Sequence, residues 1–191
     1  MNGVERINLR LMESREILDS VISDQDFINS LSDFSKECSG IIESGGKIVF
    51  FGNGGSAADA QHLSAELVGR YLVDRKPIPS IALTTDSSVL TAISNDYDYS
   101  SVFSRQVDAL VNKNDLVIGI STSGNSENVV KGLHSAKSIG ATTASLTGID
   151  GGKVSEYSDY CFMMPSSSTP LIQQMHITIG HILCEMIESS L

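Results

Sequence analysis

The sequence predicts an α/β fold, a three-layer sandwich in which helices cover both faces of a five-stranded parallel sheet. Five short apolar runs alternate with helix-length segments along most of the chain. Strands that are apolar along their whole length are typical of parallel sheets that are buried on both faces. The predicted strands are 47–51, 81–84, 116–120, 142–147 and 160–164, and the predicted helices are 55–71, 87–110 with a break near Asn95 and Asp96, 126–139, 152–158 and 170–189.

Two further helices are predicted before the first strand. Apolar residues between Val4 and Val21 recur among charged residues at a helical spacing rather than in alternation. Residues 23–26 then supply N-caps for a second helix, which ends at the glycines 45 and 46. Residues 1–46 therefore form a helical N-terminal extension, which we expect to pack on the sheet or on another subunit.

We expect residues 1–191 to form one domain. The length suits a single core, 41% of the residues are apolar, and no repeat or Pro/Gly/Ser linker divides the chain. The formal net charge is −10 and no basic run occurs, which argues against binding to nucleic acid.

The cysteines and the N-terminus indicate the compartment. Three widely spaced cysteines without a CxxC motif are typical of reduced thiols. The chain shows no secretory leader and no apolar run of about 18 residues. We therefore expect a cytoplasmic protein with no membrane association.

Polar and glycine-rich turns follow four of the predicted strands. In open α/β sheets, ligands bind beyond the carboxyl ends of the strands. The turn after the first strand contains Asn53, Gly54, Gly55 and Ser56, and its glycines allow a close backbone approach to a ligand. The other turns are 84–88, 121–126 and 147–152. These turns predict a ligand site at one edge of the sheet.

The turn after the third strand predicts a phosphate site. Ser121, Thr122, Ser123 and Ser126 place four hydroxyls around Gly124 at the start of a helix. Hydroxyls, free N–H groups and the positive end of a helix dipole together favour phosphate. The turn is neither a GxxxxGK[ST] loop nor a GxGxxG loop, so nucleotide binding is not favoured. The alternative is an ordinary serine-rich N-cap in which a single hydroxyl caps the helix.

An acid–base pair lies in the helix after the first strand. His62 and Glu66 are four residues apart, so both side chains leave the same face of the helix. The alternative is a solvated His/Glu pair on a helix surface.

The last helix carries Gln173, His176 and His181. The two histidines are five residues apart and face different ways, and His176 is expected in the core. Gln173 and His181 are about 12 Å apart along a helix axis.

A long, ordered set of motifs resembles the SIS (sugar isomerase) domain family over nearly the whole chain. Within that family, the resemblance is to the isomerases of seven-carbon sugar phosphates. The motifs are GNGGSAADAQH at 52–62, ELVGRY at 66–71, ALTTDSSVLTAISNDY at 82–97, FSRQV at 103–107, GISTSGNSENV at 119–129, LTGIDGGK at 146–153 and TPLIQQMHITIGHILCE at 169–185.

The resemblance implies a flavodoxin-like sheet, a homotetramer, active sites at subunit interfaces and one zinc ion per subunit. It implies the conversion of sedoheptulose 7-phosphate to D-glycero-D-manno-heptose 7-phosphate, towards lipopolysaccharide core or capsule. The implied catalytic pair is Glu66 and His181, and the implied zinc ligands are His62, Glu66, Gln173 and His181. Because zinc bonds are about 2 Å long, Gln173 and His181 could bind one ion only if both side chains stretch towards it, or if they come from different chains. The implied substrate contacts are Asn53, Gly54, Gly55, Ser56, Glu66, Asn95, Asp96, Ser121, Thr122, Ser123, Ser126 and Gln173. Gln174 stands where the family more commonly has Glu.

The chemistry of an aldose–ketose isomerisation suits these residues. It needs a base at carbon, a proton donor at oxygen and stabilisation of an enediolate. Two alternatives have the same fold. One is a non-enzymatic SIS protein that binds the bacterial replication initiator, but such proteins lack the acid and the histidine that Glu66 and His181 supply here. The other is a regulatory sugar-phosphate sensor, which usually carries a DNA-binding domain for which this chain leaves no residues.

Overall fold

Five parallel strands form one sheet in the order β2-β1-β3-β4-β5, in a computed structural model that describes residues Met1–Leu191. This arrangement confirms the predicted parallel sheet and its flavodoxin-like order. The second strand is shorter than the sequence suggested, with only three residues. The strands are β1 Ile48–Gly52, β2 Ser80–Ala82, β3 Leu116–Ser121, β4 Thr142–Thr147 and β5 Tyr160–Met163.

Seven α-helices surround the sheet, including the two that were expected before β1. The predicted helix 87–110 is divided at the expected break, because its first part ends at Asp96. The Asp98 carboxylate then accepts the N–H of Ser100 and starts a 3₁₀ turn at Tyr99–Ser101. The predicted helix 152–158 is also a 3₁₀ turn, Lys153–Tyr157. The helices are α1 Gly3–Ser23, α2 Gln25–Glu43, α3 Gly55–Val68, α4 Ser87–Asp96, α5 Ser104–Leu110, α6 Glu127–Ile139 and α7 Thr169–Ser190.

The two faces of the sheet support two separate cores, as the alternation of side chains along β1 illustrates. Ile48 and Phe50 point into a core shared with α2, α3 and α7, whereas Val49 and Phe51 point into one shared with α5 and α6. Gly132 lets α6 approach the second core closely, because a Cβ there would lie 2.7 Å from Cζ of Phe51. The sheet is therefore covered on both faces.

The two N-terminal helices differ in how they are buried. In α2, Phe34 lies in the core, with its ring centroid 4.8 Å from that of Tyr160 and 5.2 Å from that of Phe162. In α1 only Val21 is buried, and Val4, Ile7 and Leu11 are 62–68% exposed.

No helix has both the length and the apolar character that crossing a membrane requires.

A buried carboxylate stabilises the sheet at the amino ends of its strands, opposite the edge where the polar turns lie. Asp115 is 1% exposed and precedes β3. Its Oδ2 lies 2.6 Å from Nζ of Lys47 and accepts the N–H of Asn112 at 2.8 Å, and its Oδ1 accepts the N–H of Lys47 at 3.1 Å. Asp115 thus ties the start of β3 to the start of β1.

Replacement of Asp115 by Asn should lower the free energy of unfolding by about 3 kcal/mol, because it removes the buried charge that pairs with Lys47 and one of the two oxygens that accept backbone N–H groups. Urea denaturation measures this loss, with Lys113→Ala, an exposed neighbour, as the control. Because Asp115 lies far from the carboxyl ends of the strands, kcat should stay within about twofold of wild type. A loss of stability below about 1 kcal/mol would show that the ion pair is only a surface contact.

Candidate active site

Helices α3 and α7 lie side by side and run in the same direction. Near the start of α3, a Cβ at Gly55 would lie 2.4 Å from Nε2 of Gln173. Two turns further on, a Cβ at Gly180 would lie 2.5 Å from Cδ2 of Leu63. The pairs 55/173 and 63/180 keep nearly the same offset in sequence, which is the register of parallel helices. Gly55 on α3 and Gly180 on α7 both lack a side chain, so the two helix backbones can lie close together.

This packing brings His62, Glu66 and His181 together within one chain. Nε2 of His62 lies 3.0 Å from Oε1 of Glu66 and 3.2 Å from Nε2 of His181. Their ligand atoms all lie within 4.8 Å of one another. His62 and Glu66 leave the same face of α3, as their spacing predicted, and the His62 side chain is 48% exposed. The three side chains form a cluster that is open to solvent.

The cluster fits a metal ion. Bonds of 2.0–2.1 Å in a tetrahedral site place neighbouring ligand atoms roughly 3.3 Å apart. The observed separations of 3.0 and 3.2 Å are close to that value. Imidazole nitrogen and carboxylate oxygen are also ligands that divalent transition metals accept. His62, Glu66 and His181 could therefore hold an ion with little movement.

Gln173 of the same chain lies away from the cluster of His62, Glu66 and His181. Its amide lies against Gly55, and seven residues of helix, about 10 Å, separate Gly55 from His62. Glu66 and His181 meet within one chain, so the catalytic pair implied by the resemblance needs no second subunit. A fourth ligand from Gln173, by side-chain movement or from another chain, stays a prediction.

The ring of Tyr71 stacks on one face of the His181 ring. Its ring centroid lies 5.5 Å from that of His181 with an interplanar angle of 26°, and the ring of His62 meets His181 edge-on at 4.9 Å. Tyr71 was not among the site residues predicted from the sequence. Its position just after α3 carries no local signal of a contact with a residue 110 positions away.

Asn53 is held by two residues that the sequence analysis did not single out. Asn53 and Asn128 exchange amide hydrogen bonds of 2.8 and 2.9 Å, and the hydroxyl of Tyr99 donates to Oδ1 of Asn53 at 3.0 Å. Asn128 is buried in the first turn of α6. The turns after β1 and β3 are therefore joined, with the adjacent Gly54 at φ 56°, which favours glycine.

The other predicted residues of the first turn and of α4 lie in different settings. Ser56 is buried, its N–H donates to the carbonyl of Asn53 at 3.0 Å, and its Cβ lies against Gly52 at the end of β1. Asn95 donates to the Asp96 carboxylate at 2.8 Å, and both are exposed at the end of α4.

The serine-rich turn after β3 packs against the turn after β4 and is hydrogen-bonded to it. The Ser121 hydroxyl donates to that of Ser126 at 3.1 Å, and Ser126 makes no side-chain capping bond to α6. This differs from the alternative of an ordinary serine N-cap. A Cβ at Gly124, where φ is 64°, would lie 2.0 Å from the carbonyl oxygen of Gly151. Thr122 and Ser123 belong to the same turn, in which the carbonyl of Thr122 accepts the N–H of Gly148.

Asp59 is a further acid close to the cluster. It lies one turn before His62 on α3, and its Oδ2 is buried without a hydrogen-bond partner. Burial raises the pKa of Asp59 to about 6, against the opposing effect of His62. The i, i+3 spacing to His62 was the only sequence signal for it.

His176 is a core residue, as expected, and His134 is exposed on the surface. Nε2 of His176 donates to the carbonyl of Thr147 at 3.2 Å and so ties α7 to the end of β4. Burial lowers the pKa of His176 from 6.5 to about 4. The imidazole is therefore neutral in the folded protein at neutral pH.

The site and fold define a class of proteins, the SIS domain proteins, whose family model, described as "SIS domain", matches residues 11–148. A phosphoheptose isomerase of Sulfurimonas denitrificans is 49% identical over 185 residues, which are 97% of this chain and 95% of that protein. One of Aquifex aeolicus is 56% identical over 147 residues, 77% of each chain.

Two solved structures agree with these relatives. A phosphoheptose isomerase from Francisella tularensis superimposes with a TM-score of 0.94 at 32% identity, over 99% of this chain and 100% of that one. One from Neisseria gonorrhoeae gives a TM-score of 0.91 at 37% identity, over 98% and 100%. The chain belongs to the phosphoheptose isomerases of the SIS domain family. It is a sugar-phosphate isomerase of heptose biosynthesis, and the comparisons give no support to a replication-initiator-binding protein.

The low pKa of His176 predicts a loss of stability in acid. Between pH 6.5 and about 4 the unfolded chain binds a proton that the folded one excludes, so stability falls as the pH falls, by up to about 3 kcal/mol. In His176→Gln this part of the pH dependence should disappear. Urea denaturation at pH 7.5, 5.5 and 4.5 measures the difference between wild type and variant.

Asp59 changes stability in the opposite direction, since its raised pKa favours the folded state below about pH 6. It is present in both proteins and cancels in their difference. His134→Gln, an exposed histidine, serves as the control and should keep the wild-type profile. A difference between wild type and His176→Gln that stays constant with pH would contradict the prediction.

Proposed function

We propose that this protein converts sedoheptulose 7-phosphate to D-glycero-D-manno-heptose 7-phosphate through an enediol, the first step towards the heptose of lipopolysaccharide core or capsule. The observation that carries the proposal is the meeting of Glu66 and His181 within one cluster. The phosphoheptose isomerases among its relatives support the choice of substrate.

Glu66 and His181 divide the proton transfers between carbon and oxygen. The Glu66 carboxylate takes a proton from carbon 1 of the ketose and returns it to carbon 2. His181 gives a proton to the carbonyl oxygen at carbon 2 and receives one from the hydroxyl at carbon 1. Both side chains end in their starting states, and the sugar has only exchanged its carbonyl position.

Zinc is the metal that we propose for the cluster, one ion per subunit, held by His62, Glu66 and His181 with Gln173 as the fourth ligand. When bound, it would polarise the carbonyl and stabilise the enediolate. Glu66 then has two roles that compete, because a carboxylate shared with a cation is a weaker base.

The turns at the strand ends hold the rest of the substrate. The hydroxyls of Ser121, Thr122, Ser123 and Ser126, with the N-terminus of α6, bind the phosphate. Asn53, Gly54 and Gly55 approach the sugar, with further contacts from Asn95, Asp96 and Gln173. Ser56 contributes by supporting the turn, since it is buried.

We also propose a homotetramer in the cytoplasm with active sites at subunit interfaces. The exposed apolar residues of α1, among them Val4, Ile7 and Leu11, support association. The three free cysteines support a reducing compartment. The direct test of the function is incubation with sedoheptulose 7-phosphate, with aldose formation followed by NMR with and without chelator.

Glu66→Gln and His181→Gln should each lower kcat by about 10²–10⁴-fold, because each removes a group that transfers a proton. NMR of the sugar measures the rate, and circular dichroism checks the fold. The matched controls are Glu43→Gln and His134→Gln, which make the same substitutions at exposed positions and should keep wild-type rates. A variant of Glu66 or His181 that retains more than roughly a tenth of the activity would exclude that residue from its role.

Ser123→Ala should raise KM for the sugar phosphate about tenfold, because it removes a hydrogen bond to a charged group. The non-phosphorylated sugar should bind poorly to both proteins. Ser138→Ala, at the exposed far end of α6, is the control. The assignment fails if KM is unchanged, or if a ligand-bound structure places the phosphate at the 148–152 turn.

A further inference from the structure

A buried carboxylate near the end of α7 holds the segment that follows α3. Glu188 is only 7% exposed. Its Oε1 accepts the N–H of Tyr71 at 2.9 Å, and its Oε2 accepts those of Leu72 at 2.7 Å and Val73 at 3.1 Å. Burial alone would raise the pKa of Glu188, but these three donors and Arg75 bring it below its usual value. The carboxylate is therefore charged at neutral pH.

Arg75 connects this carboxylate to the end of α3. Its Nε lies 2.9 Å from Oε1 of Glu188. Its two terminal nitrogens donate to the carbonyls of Leu67 and Glu66, each at 2.9 Å. These carbonyls belong to the last turn of α3, where helix carbonyls lack partners within the helix. We call Glu188, Arg75 and the three N–H groups of 71–73 the Glu188 clamp.

The clamp holds the backbone of Tyr71, the residue whose ring stacks on His181. Glu188 binds the backbone of Tyr71, and the ring of Tyr71 stacks on His181 at 5.5 Å. Glu188 and His181 are seven residues apart, two turns of the same helix, so they share a face of α7. The His181 ring therefore stacks on Tyr71, and the backbone of Tyr71 is hydrogen-bonded to Glu188 on the same helix as His181.

We propose that Glu188 is a positioning residue for the isomerase reaction, acting through Tyr71 to fix the ring plane of His181. The proposal rests on the proposed function, because that function gives His181 its proton transfer. An imidazole can rotate about its bond to Cβ, and proton transfer requires its nitrogen within hydrogen-bond reach of the substrate oxygen. The Tyr71 ring limits that rotation, and the clamp limits the movement of Tyr71.

The first test is spectroscopic and needs neither substrate nor metal. An aromatic ring stacked on His181 shifts its imidazole C–H resonance, which can be assigned among the four histidines with His181→Gln. The shift should be lost in Tyr71→Leu and in Glu188→Gln. It should persist in Tyr71→Phe, which keeps the ring, and in Asp115→Asn, which breaks a buried ion pair elsewhere.

The second test is kinetic. Tyr71→Leu and Glu188→Gln should each lower kcat about 10–100-fold, the usual effect of losing a group that orients an active-site ligand, with KM within about threefold of wild type. Tyr71→Phe should keep kcat within about threefold of wild type, and Asp115→Asn within about twofold. In the double variant the two losses should not multiply, because Glu188 acts through Tyr71.

Three outcomes would overturn the proposal: a resonance of His181 that is unchanged in Glu188→Gln, a kcat that is unchanged although the resonance moves, or losses that multiply in the double variant. If Glu188→Gln does not fold, the comparison of Tyr71→Leu with Tyr71→Phe decides the same question about the ring. Failure of the proposed function is seen separately, as a His181→Gln variant that keeps its activity.

Discussion

The close packing of α3 against α7 is the interaction on which the active site depends. Gly180 leaves space for the side chain of Leu63, and Gly55 leaves space for the amide of Gln173, so the two helices can pack closely. His62 and Glu66 come from one helix and His181 from the other, and a distance of 3.2 Å between two imidazole nitrogens tolerates little displacement. A methyl group at Gly180 would push against the core residue Leu63, and the same displacement would separate the histidines.

The sheet provides the second half of the site by bringing the turns after β1, β3 and β4 to one edge. The reciprocal amide bonds of Asn53 and Asn128 join the turns after β1 and β3. The close contact of Gly124 with Gly151 joins the turns after β3 and β4. The proposed sugar contacts and the proposed phosphate contacts are thus held by one connected set of backbone and side-chain bonds. Asp115 secures the opposite edge, where it contributes to stability alone.

Most of the fold could be predicted from local patterns. The apolar runs gave all five strands, and the spacing of His62 and Glu66 gave their shared face. What could not be predicted depends on pairs far apart in the sequence. Nothing near Tyr71 indicates His181, nothing near Glu188 indicates the N–H groups of 71–73, and Asn128 looks like any polar residue in the first turn of a helix. The break after Asp96 was predicted, but the 3₁₀ turn that follows it was not, because it depends on one side-chain bond from Asp98.

The order in which the residues of the cluster are made has a consequence for synthesis. Contacts between residues about 119 positions apart form late, since the intervening chain must first be arranged. A chain synthesised only as far as β5 already contains His62 and Glu66, together with the hydroxyls of the turn after β3. It lacks His181, and it also lacks the apolar face of α7 that completes the first core. The nascent chain on the ribosome therefore lacks the side chain that we propose to move a proton between the two oxygens, and the cluster is complete only when α7 docks.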